Sequence, residues 1–584
     1  LRVFLDLMWF FRERKGHYLG GILLLMLVSL LGLIPPQIVG AMVNRIRHHQ
    51  LIAQEFTHWI FYIAAIALAM YILRYFWRIL LFGSAIKLST ELRFQLYRHF
   101  TQMSPNFYHK HRIGDLMAHA TNDIQAVEST AMDGILTLVD SITTGILVIA
   151  TMAITISWKL TLIALLPMPI IAITTQLYGK ILHRRFTLAQ AAFSDINDKV
   201  QENISGMRVI KAFGQENSEK QAFADLSKDV IRKNLAVAKI DALFDPTIGI
   251  VVTLSYFLSF AAGAWFVLHH QLNLGQLTAF SIYLGQLIWP MLAFGWLFNI
   301  VERGHASYDR IRKLLAIKSD IADKPDAINS VPSGSIHYTV HSFTYPESSM
   351  PSLQQIYFHL HRGKTLGIVG RTGSGKSTIL RLLLREFDVK NGDIQIGEQS
   401  IYHYTLDALR QAVAYVPQDH FLFSATIAEN IAFAAPDKSF AEIQEAAQMA
   451  QIHDDIQQFP NGYNTIVGER GVTLSGGQKQ RISIARALLM DAEILILDDA
   501  LSAVDARTEH RILESLRKNR SGKTTLIATH RLSAVEHADL ILVLEDGKIA
   551  EYGTHASLCS ENGIYRAMWD RQQLESLVEE GGIA

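Results

Sequence analysis

Gly370-Arg371-Thr372-Gly373-Ser374-Gly375-Lys376-Ser377 has the spacing of a phosphate-binding loop: a glycine, four residues, then Gly-Lys-Ser. Its flanks are of the kind such a loop requires. The run Thr365-Leu366-Gly367-Ile368-Val369 before it reads as a buried strand, and residues 378–385, opening at Thr378, read as a helix. Glycines there let backbone N–H groups close around phosphate oxygens, and the following helix adds the positive end of its dipole. Lys376 supplies a charge for the β- and γ-phosphates and Ser377 a hydroxyl for Mg²⁺. The stretch therefore predicts an α/β domain that binds a nucleotide's phosphates together with Mg²⁺.

The rest of the chain is too long for that domain alone. At 584 residues it should form two to four domains. Hydrophobic residues make up 49% of it, and the apolar surplus lies before residue 300, the composition of a membrane half joined to a soluble half. Six apolar runs, near 18–43, 57–83, 132–156, 159–178, 246–268 and 275–300, are each long enough to cross a bilayer, which takes about 20 helical residues. The first contains Pro35-Pro36, which must kink or break a helix. Tight turns around Trp158-Lys159 and at residues 269–273 join runs three to four and five to six. The stretches between runs two and three and between four and five are long, polar and helical in period. They carry Lys87, Arg93, Arg98, Lys110, Arg112, Lys180, Arg184, Arg185, Arg208 and Lys211, which places them in the cytoplasm; Arg45 and Arg47 run against that bias. Residues 1–14 resemble a helix lying along the membrane face.

The expected domains are thus a transmembrane domain over 1–302, with an N-terminal elbow helix and two long cytoplasmic loops, a linker over 303–335, and a nucleotide-binding domain over 336–584. Zero net charge argues against a nucleic-acid partner, and the single Cys559 against disulfide or zinc-thiolate chemistry. Within the spans, Arg74 and Arg78 fall near the inner headgroups, where long side chains snorkel. Asp140 is placed either to meet a cationic substrate or to hydrogen-bond a neighbouring helix. Trp289, Phe294, Trp296 and Phe298 either line a cavity or pack against helices and lipid.

Two further stretches narrow the chemistry. The apolar strand 494–497 ends in Asp498, where a phosphate-loop enzyme keeps the carboxylate that orders Mg²⁺. Between it and the loop lies Leu474-Ser475-Gly476-Gly477-Gln478, followed by a helical run to Met490, a second helix start with exposed amides and the Ser475 hydroxyl.

With these motifs the whole chain resembles the ATP-binding-cassette (ABC) exporters, whose signature is LSGGQ. The resemblance implies a polytopic α-helical membrane domain of six transmembrane helices followed by an α/β P-loop ATP-binding cassette. By the same likeness, Tyr345 stacks on adenine, Gln418 reaches Mg²⁺ and senses the membrane half, and His530 contacts the γ-phosphate. Residues 502–505 correspond to the loop that crosses between cassettes, and residues 465–470 to a segment that touches the intracellular loops. Residues 114–123 and 206–216 correspond to the two coupling regions. ABC cassettes close head to tail, so Ser475, Gly477 and Gln478 are implied to serve the ATP of a second chain.

One position departs from the family pattern. Efficient members place Glu after the Mg²⁺ aspartate to orient the attacking water, and here the residue is Asp499. The shorter side chain withdraws the carboxylate by roughly 1.5 Å, and a misplacement of about 1 Å can cost about a hundredfold in rate. The expectation is a slow site of its own, an intact signature lent to a partner, and hence a heterodimer of half-transporters in the inner (plasma) membrane. Such a machine would export an apolar or amphipathic, multidrug-like substrate. An ATP-gated channel or sensor of the same architecture is the alternative, and the six spans exclude a soluble DNA-repair-type ATPase.

Overall fold

The fold comes from a computed structural model that describes residues 2–48, 52–346, 348–468, 471 and 474–581. It divides into two compact units, residues 1–101 with 112–317 and residues 102–111 with 318–584.

The first unit is helical throughout. Short helices Arg2–Asp6 and Met8–Glu13 bury Val3, Leu7 and Phe10 and leave Leu5 and Trp9 exposed, the amphipathic pattern of an elbow. The double proline does not kink a continuous helix. Helix Lys15–Leu31 stops, and Ile34–Arg47 begins with both prolines in its first turn, where the missing N–H donors would have had no partner. Helix Ala53–Gln102 is 50 residues long. At 1.5 Å per residue that is about 75 Å, more than twice the hydrocarbon thickness, so the polar stretch after the second run extends the span without a break.

Among the described residues, length and apolarity alone pick out five stretches able to cross a membrane, one of them Ile113–Leu165. The chain reverses inside that stretch. Ser157 has an extended backbone, with φ −165° and ψ 120°, and its side chain accepts from Leu160 N to cap Trp158–Leu165. Val148 and Met152 before the break share a core with Leu160, Ala164 and Met168 after it, as a hairpin requires. Runs three and four are therefore separate crossings, and the fourth continues past Pro167 into Met168–Ser205. Asp140 accepts from Thr144 Oγ1 at 3.4 Å, and the same hydroxyl lies 3.2 Å from Ser29 Oγ on another helix.

One boundary differs from the expectation. Residues 303–315, expected in the linker, continue helix Ile288–Leu315. Residues 114–123 lie in the first unit, and the short helix Pro105–Lys110 just before them packs with the cassette, where Asn106 Nδ2 donates to Asp320 Oδ2 at 2.5 Å.

The cassette holds two sheets. Strands β1 (Ile336–Phe343), β2 (Leu353–Leu360), β4 (Asn391–Ile396) and β5 (Gln399–Ser400) form an antiparallel sheet in the order β2-β1-β4-β5. The second sheet contains β3 (Thr365–Gly370), β6 (Val413–Val416), β7 (Ile494–Asp498), β8 (Thr524–Ala528), β9 (Leu540–Glu545) and β10 (Lys548–Gly553). Its order is β10-β9-β3-β8-β7-β6, parallel except for β10. Strands β7 and β8 are buried along their whole length, which explains their apolar or β-branched sequences up to Asp498 at the end of β7.

Candidate nucleotide site

The parallel register brings three loops to one edge. Ala528 of β8 pairs with Ile368 of β3 on one side and with Asp498 of β7 on the other. The phosphate loop, Asp499 and His530 therefore leave the sheet side by side at its carboxyl end, where open α/β sheets hold their ligands.

Within the phosphate loop, Gly370, Gly373 and Gly375 all have positive φ, and Gly375 at +102° shows why. A Cβ there would stand 2.7 Å from Leu353 Cδ2, so a side chain would be both strained and obstructed. Arg371, Thr372 and Gly373 are exposed, whereas Ser374 and Thr378 are buried. Lys376 Nζ donates to Gly370 O at 2.8 Å and Arg371 O at 3.0 Å. Burial holds its pKa below the usual lysine value, while Asp499 and Asp498 pull it the other way. Ser377 Oγ donates to Asp498 Oδ1 at 2.8 Å, and Tyr415 Oη donates to Oδ2 at 3.2 Å. Burial raises the Asp498 pKa against these donors.

These groups suit a metal-bound triphosphate. A buried carboxylate beside a hydroxyl offers hard oxygen ligands of the kind Mg²⁺ takes. Among the described residues, Ser374 Oγ is buried without a hydrogen-bond partner, and Lys376 is hydrogen-bonded to carbonyls of its own loop.

Around this centre the other expected residues take different positions. Tyr345 is half-buried; its hydroxyl donates to Thr378 Oγ1 at 3.1 Å, and its ring stands edge-on to Phe343 and Phe387. Gln418 is exposed in the loop after β6, apart from the hydrogen bonds that join Ser377 and Tyr415 to Asp498. Asp499 has φ +48°, a conformation that costs a non-glycine residue energy. It is held by Asp499 N donating to Ala528 O at 2.8 Å. Its Oδ1 lies 2.8 Å from His530 Nδ1. That is ion-pair distance, yet Oδ1 is buried and accepts no aligned hydrogen bond. His530 is itself anchored from behind, where Gln572 Nε2 donates to its carbonyl at 2.6 Å.

Ser475 caps helix Gly476–Leu489. Its Oγ accepts from Gln478 N at 3.3 Å, and Gln478 Oε1 accepts from Ser475 N at 3.0 Å, a reciprocal capping box. Gly477 packs on the loop of residues 502–505: a Cβ would meet Ala503 O at 2.9 Å. Of the segment 465–470, Glu469 and Arg470 lie outside the described residues. Thr465 and Val467 pair with the backbone of Ile427 and Ala425.

Two residues outside the sequence motifs, Gln480 and Arg531, lock these loops together. Gln480, fully buried, donates to Asp499 O at 3.2 Å and accepts from Ala503 N at 2.9 Å. Arg531 donates to the carbonyls of Leu501, Ser502 and Val504 and to Glu509, a buried carboxylate. Gln480 was detectable, because it shares a helix face with the buried Ile484, Ala487 and Leu488, and a glutamine on an apolar face needs partners.

Comparison with known proteins agrees with this architecture. Residues 18–291 match the family profile "ABC transporter transmembrane region" and residues 353–502 the profile "ABC transporter". The chain is 48% identical over 580 residues to the multidrug resistance-like ATP-binding protein MdlA of Escherichia coli (strain K12), covering 99% of this chain and 98% of MdlA. It is 47% identical over 574 residues to the probable multidrug resistance ABC transporter ATP-binding/permease protein YheI of Bacillus subtilis (strain 168), covering 98% of each. Among solved structures, a bacterial Atm1-family ABC exporter with ATP bound superposes with a TM-score of 0.79 at 27% identity, over 96% of this chain and 98% of that one. Membrane helices, ATP-binding cassette and full-length identity agree, and the chain belongs to the ABC transporter family as an MdlA-like exporter and transport ATPase.

Proposed function

We propose that this chain is one half of a heterodimeric exporter that uses ATP and Mg²⁺ to drive apolar or amphipathic small molecules outward across the inner membrane. The observation that carries the ATPase part is the contact of Ser377 with Asp498 beside Lys376, at the edge where the phosphate loop leaves β3. Lys376 would turn from the carbonyls of Gly370 and Arg371 to the β- and γ-phosphates, and Tyr345 would face the adenine. Mg²⁺, when bound, neutralises charge building on the phosphate oxygens. Ser377, Asp498 and Gln418 would hold it, and His530 would steady the γ-phosphate end. Motion of the cassette reaches the membrane helices through the chain itself. Segment 102–111 packs with the cassette and is covalently continuous with helix Ala53–Gln102 on one side and Ile113–Ala118 on the other.

Asp499 supports the heterodimer. Its carboxylate is short, and it is drawn to His530. Ser475 and Gly477, by contrast, are intact and rigidly mounted, ready to complete the ATP site of a partner. The names of MdlA and YheI suggest a multidrug-like substrate class.

Inverted membrane vesicles test this reading. They should accumulate a fluorescent amphipathic dye when ATP is added, and Lys376→Ala should abolish that uptake. Passive ion currents that depend on bound ATP, with no accumulation, would establish the channel instead.

A further inference from the structure

A cavity of about 400 Å³ lies in the cassette on the far side of the crossing loop, against helix Ala506–Asn519. That volume suits a small ligand. Leu513, Leu516, Ile527 and Ala538 give it an apolar side. Its polar side sets three cations, Arg517, Arg520 and Lys523, among three acids, Glu509, Glu536 and Asp539. The acidic groups on its wall are largely neutralised: Glu509 is paired with Arg531 at 2.8 Å, and Asp539 with Lys364 at 2.8 Å. Lys523 is likewise held by Asp491. Arg517 and Arg520 remain without an ion pair among the described residues, against Glu536 exposed at the rim.

Arg520 is the telling residue. Only 6% of it is exposed. One amino group donates to Ala492 O at 2.9 Å and to Thr524 O at 3.5 Å, and Nε is buried with no acceptor among the described residues. A buried charged donor left unpaired is costly, and an anion entering the cavity would relieve it.

From this juxtaposition we propose that the cavity binds a small amphipathic monoanion, a carboxylate on an apolar or aromatic body, and that its occupancy tunes ATP turnover. The carboxylate pairs with Arg520 and Arg517 while the body covers Leu513 and Leu516. The coupling follows from the wall. Glu509 and Ser533 both line the cavity and hydrogen-bond each other at 2.9 Å; Glu509 also holds Arg531, whose guanidinium grips three carbonyls of the crossing loop. A ligand packed against that helix biases the position of residues 501–505.

The test uses the full transporter in lipid nanodiscs with photoreactive para-benzoylbenzoate, and with para-aminomethylbenzophenone as its cationic counterpart. The carboxylate should crosslink to peptides from residues 506–523 or 533–539 and change ATPase turnover in a saturable way. Leu513→Trp, which fills the cavity, and Arg517→Glu, which reverses charge at an exposed position, should each reduce that labelling by about tenfold or more, a loss of roughly 1.4 kcal/mol. Arg517→Glu should leave turnover without the probe near wild type, whereas Leu513→Trp, occupying the cavity itself, should shift it toward the probe-bound value. Two variants of different kinds keep the test open should one fail to fold. Labelling confined to the membrane half, equal labelling by the amine, or labelling without a change in turnover would each overturn the proposal. None of these results would bear on whether the chain is an exporter.

Discussion

Lys376 is held by two carbonyl oxygens of its own loop, so on the proposed reading nucleotide binding would exchange those contacts for phosphate oxygens and leave the fold of the domain untouched. Hydrogen bonds to charged groups contribute about 1.5–3 kcal/mol, so Lys376→Ala should weaken ATP binding roughly ten- to a hundredfold with no loss of membrane insertion. Wild-type affinity in a nucleotide-binding titration would remove the loop from the site. Tyr345 presents a different case, because Phe343, Phe387 and Thr378 fix its ring before any base arrives. Base–aromatic stacking contributes about 1–3 kcal/mol, so Tyr345→Ala should weaken binding by that much and Tyr345→Trp by clearly less. Equal losses would mean that the ring serves the packing around Phe387 and meets no adenine.

Between elements, Gln480 has the most to tell. It joins the helix that starts at Ser475 to the loop that starts at Asp499, and both of its amide ends are in use. Gln480→Ala would leave Ala503 N and Asp499 O without this partner, a local cost of about 1–3 kcal/mol. ATP turnover of the complex should fall about tenfold or more, while affinity at this chain's own phosphate loop stays the same; a parallel loss of both would mean general unfolding of the cassette. This connection was only half legible in the sequence. The phosphate loop was legible because strand and helix flank it at fixed spacing, and the hairpin near Trp158 because two apolar runs met without room for more than a turn. The linker boundary was misread for a different reason. Charges after residue 301 suggested a junction, yet residues 300, 304, 307, 311 and 314 are all buried. Their alternating spacing of four and three is that of a helix face, and it outweighs the charges on the other side. The tip at 102–111 carries a local helix signal, Ser104 ahead of Pro105, but which unit a short helix packs against is decided by tertiary contacts such as Asn106 with Asp320.

At the scale of the assembled transporter, the substitution at Asp499 and the intact signature point in opposite directions, and that opposition can be measured. If hydrolysis at this chain's own site is slow, Asp499→Asn should reduce the ATPase of the purified complex only modestly, since little turnover is lost. Ser475→Ala should be severe, because Ser475 would act on the γ-phosphate at the partner's competent site, and removing one donor aimed at developing charge typically costs about 10²–10³ in rate. Gly477→Asp should be at least as severe, since its Cβ would press on Ala503 O and displace the crossing loop as well. Asp499→Glu restores reach and should raise basal hydrolysis, provided the longer carboxylate escapes the hold of His530. The comparison needs both chains present and nucleotide saturating, so that binding differences do not enter. Should Asp499→Asn abolish hydrolysis while Ser475→Ala is tolerated, the working carboxylate is Asp499 itself. Two identical chains would then share the work, with the left-handed backbone at Asp499 positioning the shorter side chain toward the water.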